Sequence, residues 1–421
     1  MANITLNHIT KIEGHAKLNL GIDKGKVTVC ELSATEGSRY FEGLVKGRQY
    51  FEATEMTSRI CGICSCGHVI ASISAIERAI GFSPSLGTMQ LRRLLTLGER
   101  IRSHATHLYF LALPDYLGYE SALAMAGEFK KELKIALGMM KVGNHVVSAI
   151  GGRDLHPVSA QVGGWLKWPS KEQLQELAAE LQGVMRSAQA TVKLFASLKQ
   201  QPFSTDGNWY SLHDDIYAML DGSFLSPTST FEQHDYHAFI KEHHEPYSTA
   251  NFVVKDGKRY FVSSLARLNN NADQLLPKAK LALKQSGLKL PSVNPFDNNL
   301  AQAIELVQAI EHAIAICQMH LPAEEYTRPA PRAGNGIAAI EVPRGTLWHE
   351  YTVADDGTIT FANIVTPTAQ NLYNMQEDVR KLVPQLLKLP KETIIIEIEK
   401  LIRAYDPCFS CSAHFLEVNW V

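Results

Sequence analysis

Apolar and polar residues alternate through ITLNHI, AKLNLGI and KVTVCEL at the start of the chain. That two-residue period belongs to strands with one buried face, and Asp23, Gly25 and Lys26 mark a turn between the last two. The pattern predicts a small antiparallel β element within residues 1–35. The period then changes. Around 67–80, 88–112 and 119–148, Leu, Ala, Ile and Met recur every three or four residues, which predicts long helices that each bury one stripe. Ser170 followed by Gln173 has capping-box spacing, and the run QLQELAAELQGVMRSAQATVKLFASL behind it is broken only by Gly183, so another long helix starts there.

From about 201 to 262 the chain turns polar and irregular, with a His-rich stretch over 234–244 and a segment NFVVKDGKRYFV that reads as a hairpin. This predicts a surface excursion from the helices. Helical periodicity returns from Asn299 to His320, after which Pro322, Pro329 and Pro331 break the chain. GIAAIEVPRGTLWHEYTVADDGTITFANIVTP alternates around Asp-Asp-Gly and predicts a β-hairpin over 336–366. Two helices near 369–388 and 391–403 complete the pattern. No repeat or low-complexity tract interrupts it. The expected fold is mainly α (α+β): one large domain over 1–421, with a long-helix bundle at its core and small antiparallel β elements near both termini.

Composition adds bounds. The 421 residues are 45% hydrophobic, enough to bury a large core. A formal net charge of -2, from 41 basic and 43 acidic residues, gives no global field that would attract nucleic acid or an anionic membrane. MANITLNHITKIEGH lacks the basic-then-apolar form of an export signal, and no stretch holds the roughly 18 unbroken apolar residues of a membrane span. A cytoplasmic protein without a membrane span is therefore expected.

The seven cysteines carry the chemistry. Their odd number argues against a disulfide framework, and five of them fall into two clusters. RICGICSCGH sets Cys61 and Cys64 on one CxxC turn with His68 four residues on, and DPCFSCSAH sets out Cys408, Cys411 and His414 in a similar way. Two CxxC units present four thiolates to one ion, and soft sulfur selects zinc, copper(I), iron–sulfur clusters or nickel. A zinc ribbon spaces its two units by roughly 15–20 residues, whereas Cys64 and Cys411 stand 347 positions apart. A chain with ample core has little use for a metal staple, although a closed structural zinc site joining the termini stays open at this point. Cys30, Cys66 and Cys317 are too scattered to hold an iron–sulfur cluster as well, so a redox site here must pass its electrons to another chain.

These two motifs resemble the signatures of nickel–iron hydrogenase large subunits. The resemblance runs along nearly the whole chain, through KIEGH, RYFEGLVKGR, SHATHLYFLALPDYLGY, GGRDLHP with QVGG, EVPRG and TPTAQN. It looks closest to the cytoplasmic NAD(P)-linked branch that includes sulfhydrogenase α subunits. The resemblance implies the nickel–iron hydrogenase large-subunit fold and reversible, heterolytic cleavage of H2. It also implies a Ni-Fe(CO)(CN)2 centre and a magnesium or iron ion near the C-terminus. The implied partners are an iron–sulfur small subunit, flavin/NAD(P) diaphorase subunits, nickel chaperones and a maturation protease. A hydrogen-sensing homologue is the alternative that shares the site, while the related quinone-reductase subunits have generally lost these cysteines.

Carried over residue by residue, the resemblance implies that nickel takes all four cysteines, with Cys64 and Cys411 bridging to iron and Cys61 and Cys408 terminal. A terminal thiolate keeps more basicity, which makes Cys408 the better proton acceptor. Glu13 in KIEGH matches the proton-gating glutamate, and Arg344 in EVPRG matches an arginine over the open metal position, with Pro343 fixing the backbone before it. Thr368 in TPTAQN would donate to a cyanide nitrogen, and His68 would hydrogen-bond the bridging sulfur. Glu42, the main-chain carbonyl of Ile364 and His414 match the magnesium-type site. Asp406, His104 and Arg153 are placed as supporting hydrogen-bonders, and Cys66 and Cys317 as apolar fillers. The His-rich stretch reads as a solvated loop in preference to a nickel store. There are two departures from the family pattern. Ser103 stands where many respiratory members carry an acidic residue, and residues 415–421 extend beyond His414 as a segment that maturation would clip.

Overall fold

The N-terminal alternation folds as it reads. In this computed structural model, which describes residues 2–37, 40–217 and 220–413, β1 (Ala2–Leu6), β2 (Ala16–Asp23) and β3 (Lys26–Ala34) form one antiparallel sheet in the order β1-β2-β3. Ala16, Leu18, Leu20 and Ile22 of β2 all point inward. Lys24 and Gly25 make the β2–β3 turn at positive φ.

The helices follow: α1 (Phe41–Val45), α2 (Tyr50–Ser58), α3 (Ser65–Ile80), α4 (Leu86–Thr106), α5 (Lys130–Gly151) and α6 (Lys171–Ser197). Ser170 and Gln173 close the predicted capping box at the start of α6. Two readings need correction. The segment expected over 88–112 is α-helical only to Thr106 and then widens into a π-helical turn over His107–Ala112. The helix expected over 119–148 begins at Lys130, because Gly118 in the left-handed region ends the preceding short helix Leu113–Leu117 and an irregular stretch intervenes.

Beyond the irregular middle come α7 (Ser264–Asn271), α8 (Pro277–Ser286) and α9 (Asn298–Cys317). The bundle is a ring of pairwise packings, α4 on α5, α5 on α6, α6 on α9 and α9 on α4. Helix α9 with its lead-in, Pro295–Cys317, has the length and apolar character of a membrane span, yet 83% of its apolar stretch is buried inside the protein, as in a core helix.

The segment 336–366 is a three-stranded antiparallel sheet, not a single hairpin: β4 (Gly334–Val342), β5 (Gly345–Val353) and β6 (Ile359–Val365). The Asp-Asp-Gly turn joins β5 to β6, and Pro343–Arg344 form a second, two-residue turn between β4 and β5. Helix α3 lies across β4 and β5. The approach is so close that a Cβ on Gly67 would stand 2.4 Å from Val342 Cγ1.

The stretch expected as a surface excursion instead builds a buried aromatic cluster behind this sheet. Tyr210, Phe224, Phe231, Tyr236 and Tyr260 gather near Trp348 of β5, whose ring stacks on Tyr236 at 5.2 Å and meets Phe224 edge-on at 5.3 Å. Nor is NFVVKDGKRYFV a hairpin. Asn251–Lys255 pairs antiparallel with Ile240–His244, and Tyr260–Phe261 pairs parallel with Asn208–Trp209.

Finally α10 (Pro367–Leu386) and α11 (Lys391–Ala404) pack under the N-terminal sheet. They bring the two ends of the chain together. Arg403 donates to the Thr10 carbonyl at 2.9 Å, and Phe409 N–H donates to the Glu13 carbonyl at 3.0 Å.

Candidate metal centre

Cys61 and Cys64 lie on the turn that enters α3, and Cys408 and Cys411 lie at the short helix Phe409–Ser412 after α11. All four are buried, and their sulfurs lie within 4.8 Å of one another. Cys61 faces Cys408 at 3.5 Å and Cys64 faces Cys411 at 3.2 Å, while the Cys408 and Cys411 sulfurs are in direct contact. Such a convergence of soft donors suits a thiophilic metal. The neighbouring Cys61 and burial hold the Cys64 thiol well above its ordinary pKa, against the pull of Arg344. A bound cation inverts that balance and makes the thiolate the stable form.

The N-terminal pair rests on a rigid seat. Glu99 of α4 accepts from the backbone N–H groups of Cys66 at 2.7 Å and Gly67 at 3.2 Å, so a buried carboxylate caps α3. Arg102 donates to the Ile63 carbonyl at 3.1 Å.

Around the sulfurs the sequence-predicted residues converge. Glu13 Oε2 lies 2.9 Å from Cys408 Sγ and accepts from Ser410 N–H at 3.2 Å. Thr368, in the first turn of α10, accepts from Cys408 N–H at 2.8 Å, which leaves its hydroxyl proton available to another acceptor. Arg344 is buried and pairs through Nη2 with Asp406 Oδ1 at 3.1 Å. Its Nε and Nη1 have no hydrogen-bond partner among the described residues. Asp406 and the sulfurs raise the Arg344 pKa in spite of burial, so the guanidinium stays charged. A small cavity is lined by Cys64, Cys408 and Cys411 with His68, Arg344 and Thr368, and closed by Val342, Pro343, Leu347 and Pro367.

His68 reaches that cavity from α3, and its Nδ1 lies 3.1 Å from Nε2 of His349, whose Nδ1 meets the Tyr351 hydroxyl at 2.8 Å. Glu42 is buried on α1, which packs on β6, the strand that holds Ile364. His414 and the extension 415–421 lie outside the described residues.

The supporting residues divide. Asp406 is a member of the site, braced by Gln302 Nε2 at 3.0 Å. His104 pairs with Glu305 at 2.8 Å, and full burial pushes its pKa down to about 4 against the pull of that carboxylate, which keeps it neutral. Arg153 instead donates to the His156 carbonyl at 2.6 Å, in the loop after α5. Ser103 is buried, with no partner for its hydroxyl among the described residues. Cys66 and Cys317 are buried, and burial raises both thiols, Cys317 to about 12, as expected of inert fillers. The histidines of 234–244 disperse: His237 to Glu350 at 2.7 Å and His244 to the Ser248 carbonyl at 2.9 Å.

Sequence reasoning missed the buried ionic cluster of Arg267, Glu305 and Glu341 behind the Pro343–Arg344 turn. One signal was available, a lone glutamate within the apolar helix run LAQAIELVQAI.

The profile of the nickel-dependent hydrogenase family matches residues 39–142 and 296–414, over half of the chain. Sulfhydrogenase 1 subunit alpha of Pyrococcus furiosus is 36% identical over 428 residues, covering 99% of this chain and 98% of that protein. The NAD-reducing hydrogenase HoxS subunit beta of Cupriavidus necator is 27% identical, covering 98% of this chain and 95% of its own. Among solved structures, an NAD+-reducing [NiFe]-hydrogenase in its H2-reduced state superposes with a TM-score of 0.89 at 26% identity, over 98% of this chain and 100% of that one. With its four convergent cysteines inside the matched segments, the chain belongs to the nickel-dependent hydrogenase family as a large subunit, an oxidoreductase acting on H2.

Proposed function

We propose that the chain oxidises H2 reversibly to two protons and two electrons at a nickel–iron centre held by Cys61, Cys64, Cys408 and Cys411. The carrying observation is that two buried Arg344 nitrogens, Nε and Nη1, have no hydrogen-bond partner among the described residues and stand at a small cavity lined by Cys64, Cys408 and Cys411. Buried donors without acceptors are costly, and cyanide nitrogens on an iron would supply the acceptors. Thr368, with its proton free of Cys408, fits a second such contact. The apolar wall of Val342, Pro343, Leu347 and Pro367 fits carbon monoxide. Cys64, Cys408 and Cys411 all border the cavity, and Cys64 and Cys411 are proposed as the two that would bridge to the iron. His68 lines the same cavity, which supports its proposed role as a hydrogen-bond donor to a sulfur of the centre.

When bound, the centre polarises H2 and takes up its electrons. The chain's own residues handle the proton and the charge. Cys408, as a terminal thiolate, accepts the proton, and Glu13 at 2.9 Å takes it on toward solvent. Pro343 fixes the turn from which Arg344 presents positive charge to the cavity.

A magnesium or iron ion is proposed at Glu42, the Ile364 carbonyl and His414, with waters completing its oxygen-rich shell. Electrons would leave to an iron–sulfur small subunit, and onward through flavin/NAD(P) diaphorase subunits, as the NAD-reducing relatives suggest. We further place the enzyme in the cytoplasm, with nickel chaperones loading the site and a maturation protease removing 415–421 after His414.

The test is an infrared spectrum of the purified complex with its nickel and iron content. One carbonyl and two cyanide bands with both metals are expected. One zinc per chain, without iron and without those bands, would replace this reading by a structural one.

A further inference from the structure

Among the described residues Arg344 makes one ion pair, to Asp406, so its aim over the cavity depends on the backbone that carries it. That backbone is the two-residue turn between β4 and β5, followed by Gly345 at φ 136°. Behind the turn stands Arg267 of α7, fully buried. Its Nη1 donates to the Val342 carbonyl at 2.9 Å and its Nη2 to the Pro343 carbonyl at 3.0 Å. These are the two peptide oxygens immediately before Arg344.

The same guanidinium is gripped from the other side. Glu305 takes Nε at 2.6 Å and Nη2 at 2.7 Å, Glu341 takes Nη1 at 2.9 Å, and Ser264 Oγ accepts from Nη2 at 2.9 Å. The two carboxylates already compensate the arginine's charge, so neutralisation alone does not call for the turn contacts. Arg100 adds the second cation through a 2.8 Å bond to the Glu341 carbonyl. Two cations therefore face two carboxylates, and the cluster places no net charge beneath Arg344. What it supplies is rigidity: a planar fork fixed on one edge and holding two carbonyls with the other.

We infer that Arg267 is a positioning residue for the hydrogen reaction, holding the Val342 and Pro343 carbonyls so that the Arg344 guanidinium is aimed into the metal cavity. The inference rests on the nickel–iron reading above. A lysine at 267 keeps the charge, but its single nitrogen cannot serve both carbonyls and both carboxylates.

The experiment compares Arg267→Lys and the gentler Ser264→Ala with the unaltered chain, in the complete complex and as the metal-free chain. In the complex, Arg267→Lys lowers kcat for H2 oxidation by about 10²-fold, the scale of a misplacement near 1 Å, with KM unchanged. Its cyanide bands shift while its nickel content does not. In the Arg267→Lys/Arg344→Lys double variant, the loss is no larger than in Arg344→Lys alone. In the metal-free chain, the amides of residues 344–346 exchange faster in Arg267→Lys, and to a lesser degree in Ser264→Ala, which carries the comparison should the lysine variant fail to fold. Unchanged exchange at the turn in both variants, unshifted cyanide bands, or losses that multiply in the double variant would overturn the inference. An unaltered complex without cyanide bands would overturn the nickel–iron reading instead, and exchange in the metal-free chain would still decide whether Arg267 holds the turn.

Discussion

Glutamine at position 13 isolates proton exit from everything else the site does. The side chain keeps its size, and its amide oxygen can still accept from Ser410 N–H, now at 3.2 Å, so the bridge between the chain ends should persist. What it loses is the capacity to take a proton from Cys408 Sγ at 2.9 Å. No other described carboxylate bonds that sulfur. Thr368 already accepts from the Cys408 N–H, and Arg344 is charged and cannot accept. General acid–base catalysis by one positioned group contributes about 10²–10⁴-fold, or roughly 3–5 kcal/mol of barrier. Glu13→Gln is therefore expected to cut H2 oxidation by that factor while infrared bands and nickel content stay as in the unaltered enzyme. Isotope exchange separates the steps: conversion of para- to ortho-hydrogen, which needs only cleavage and recombination at the site, continues, whereas exchange of D2 with solvent protons falls with turnover. Turnover within a factor of two of the unaltered enzyme, with unaltered spectra, would remove Glu13 from the proton route.

Three further outcomes follow from the same geometry. Asp406 has a φ of 50°, which asparagine tolerates, so Asp406→Asn breaks the buried pair with Arg344 without backbone strain and should cost about 3–5 kcal/mol, read as a lower melting temperature of the metal-free chain; an unchanged temperature would contradict the pairing. Burial raises Asp378 from 3.8 to about 6, against its bonds from Tyr405 and Thr205 and the Arg259 charge. Between those pH values the folded chain holds a proton that the unfolded chain has released, so this group's contribution falls as pH rises, by about 3 kcal/mol in all, and Asp378→Asn should flatten that part of the stability–pH curve. Cys66→Ala should keep full metal content and activity where Cys64→Ala loses both; equal loss in the two would make Cys66 more than a filler.

What could be read from the sequence was local. The strand alternation of β2 and the Ser170 cap depend on residues within a few positions of one another and appear where they were expected, and the apolar stripes give the bundle helices while misplacing the end of α4 and the start of α5. The CxxC turns are equally local, and so are the short motifs that carry Glu13, Arg344 and Thr368. Failure came where distant segments choose partners. Lys255 and Lys258 make the bridge that Asp256-Gly257 promises, but beyond it the two halves of NFVVKDGKRYFV leave each other for 240–244 and 208–209. The polarity of 201–262 likewise hid scattered aromatics that only folding brings against Trp348. Arg267, Glu305 and Glu341 come from three separate elements, and no spacing rule links them.

The same contrast bears on how the centre is assembled. Cys61, Cys64 and Arg344 sit on elements held from behind, by Glu99 and Arg102 for the N-terminal turn and by Arg267 for the other. Each of these supports is complete without a metal. Cys408 and Cys411 lie at a four-residue helix held by Thr368, by the Glu13 strand contact, by the Ser412–Thr366 hydroxyl pair at 2.9 Å and by the buried Phe409. That contact joins positions 395 apart, and the packing of α10, α11 and Phe409 against the N-terminal sheet offsets its loop-closure entropy. Metal binding would add to this packing, because four thiolates on one ion fasten the C-terminal pair to the N-terminal one.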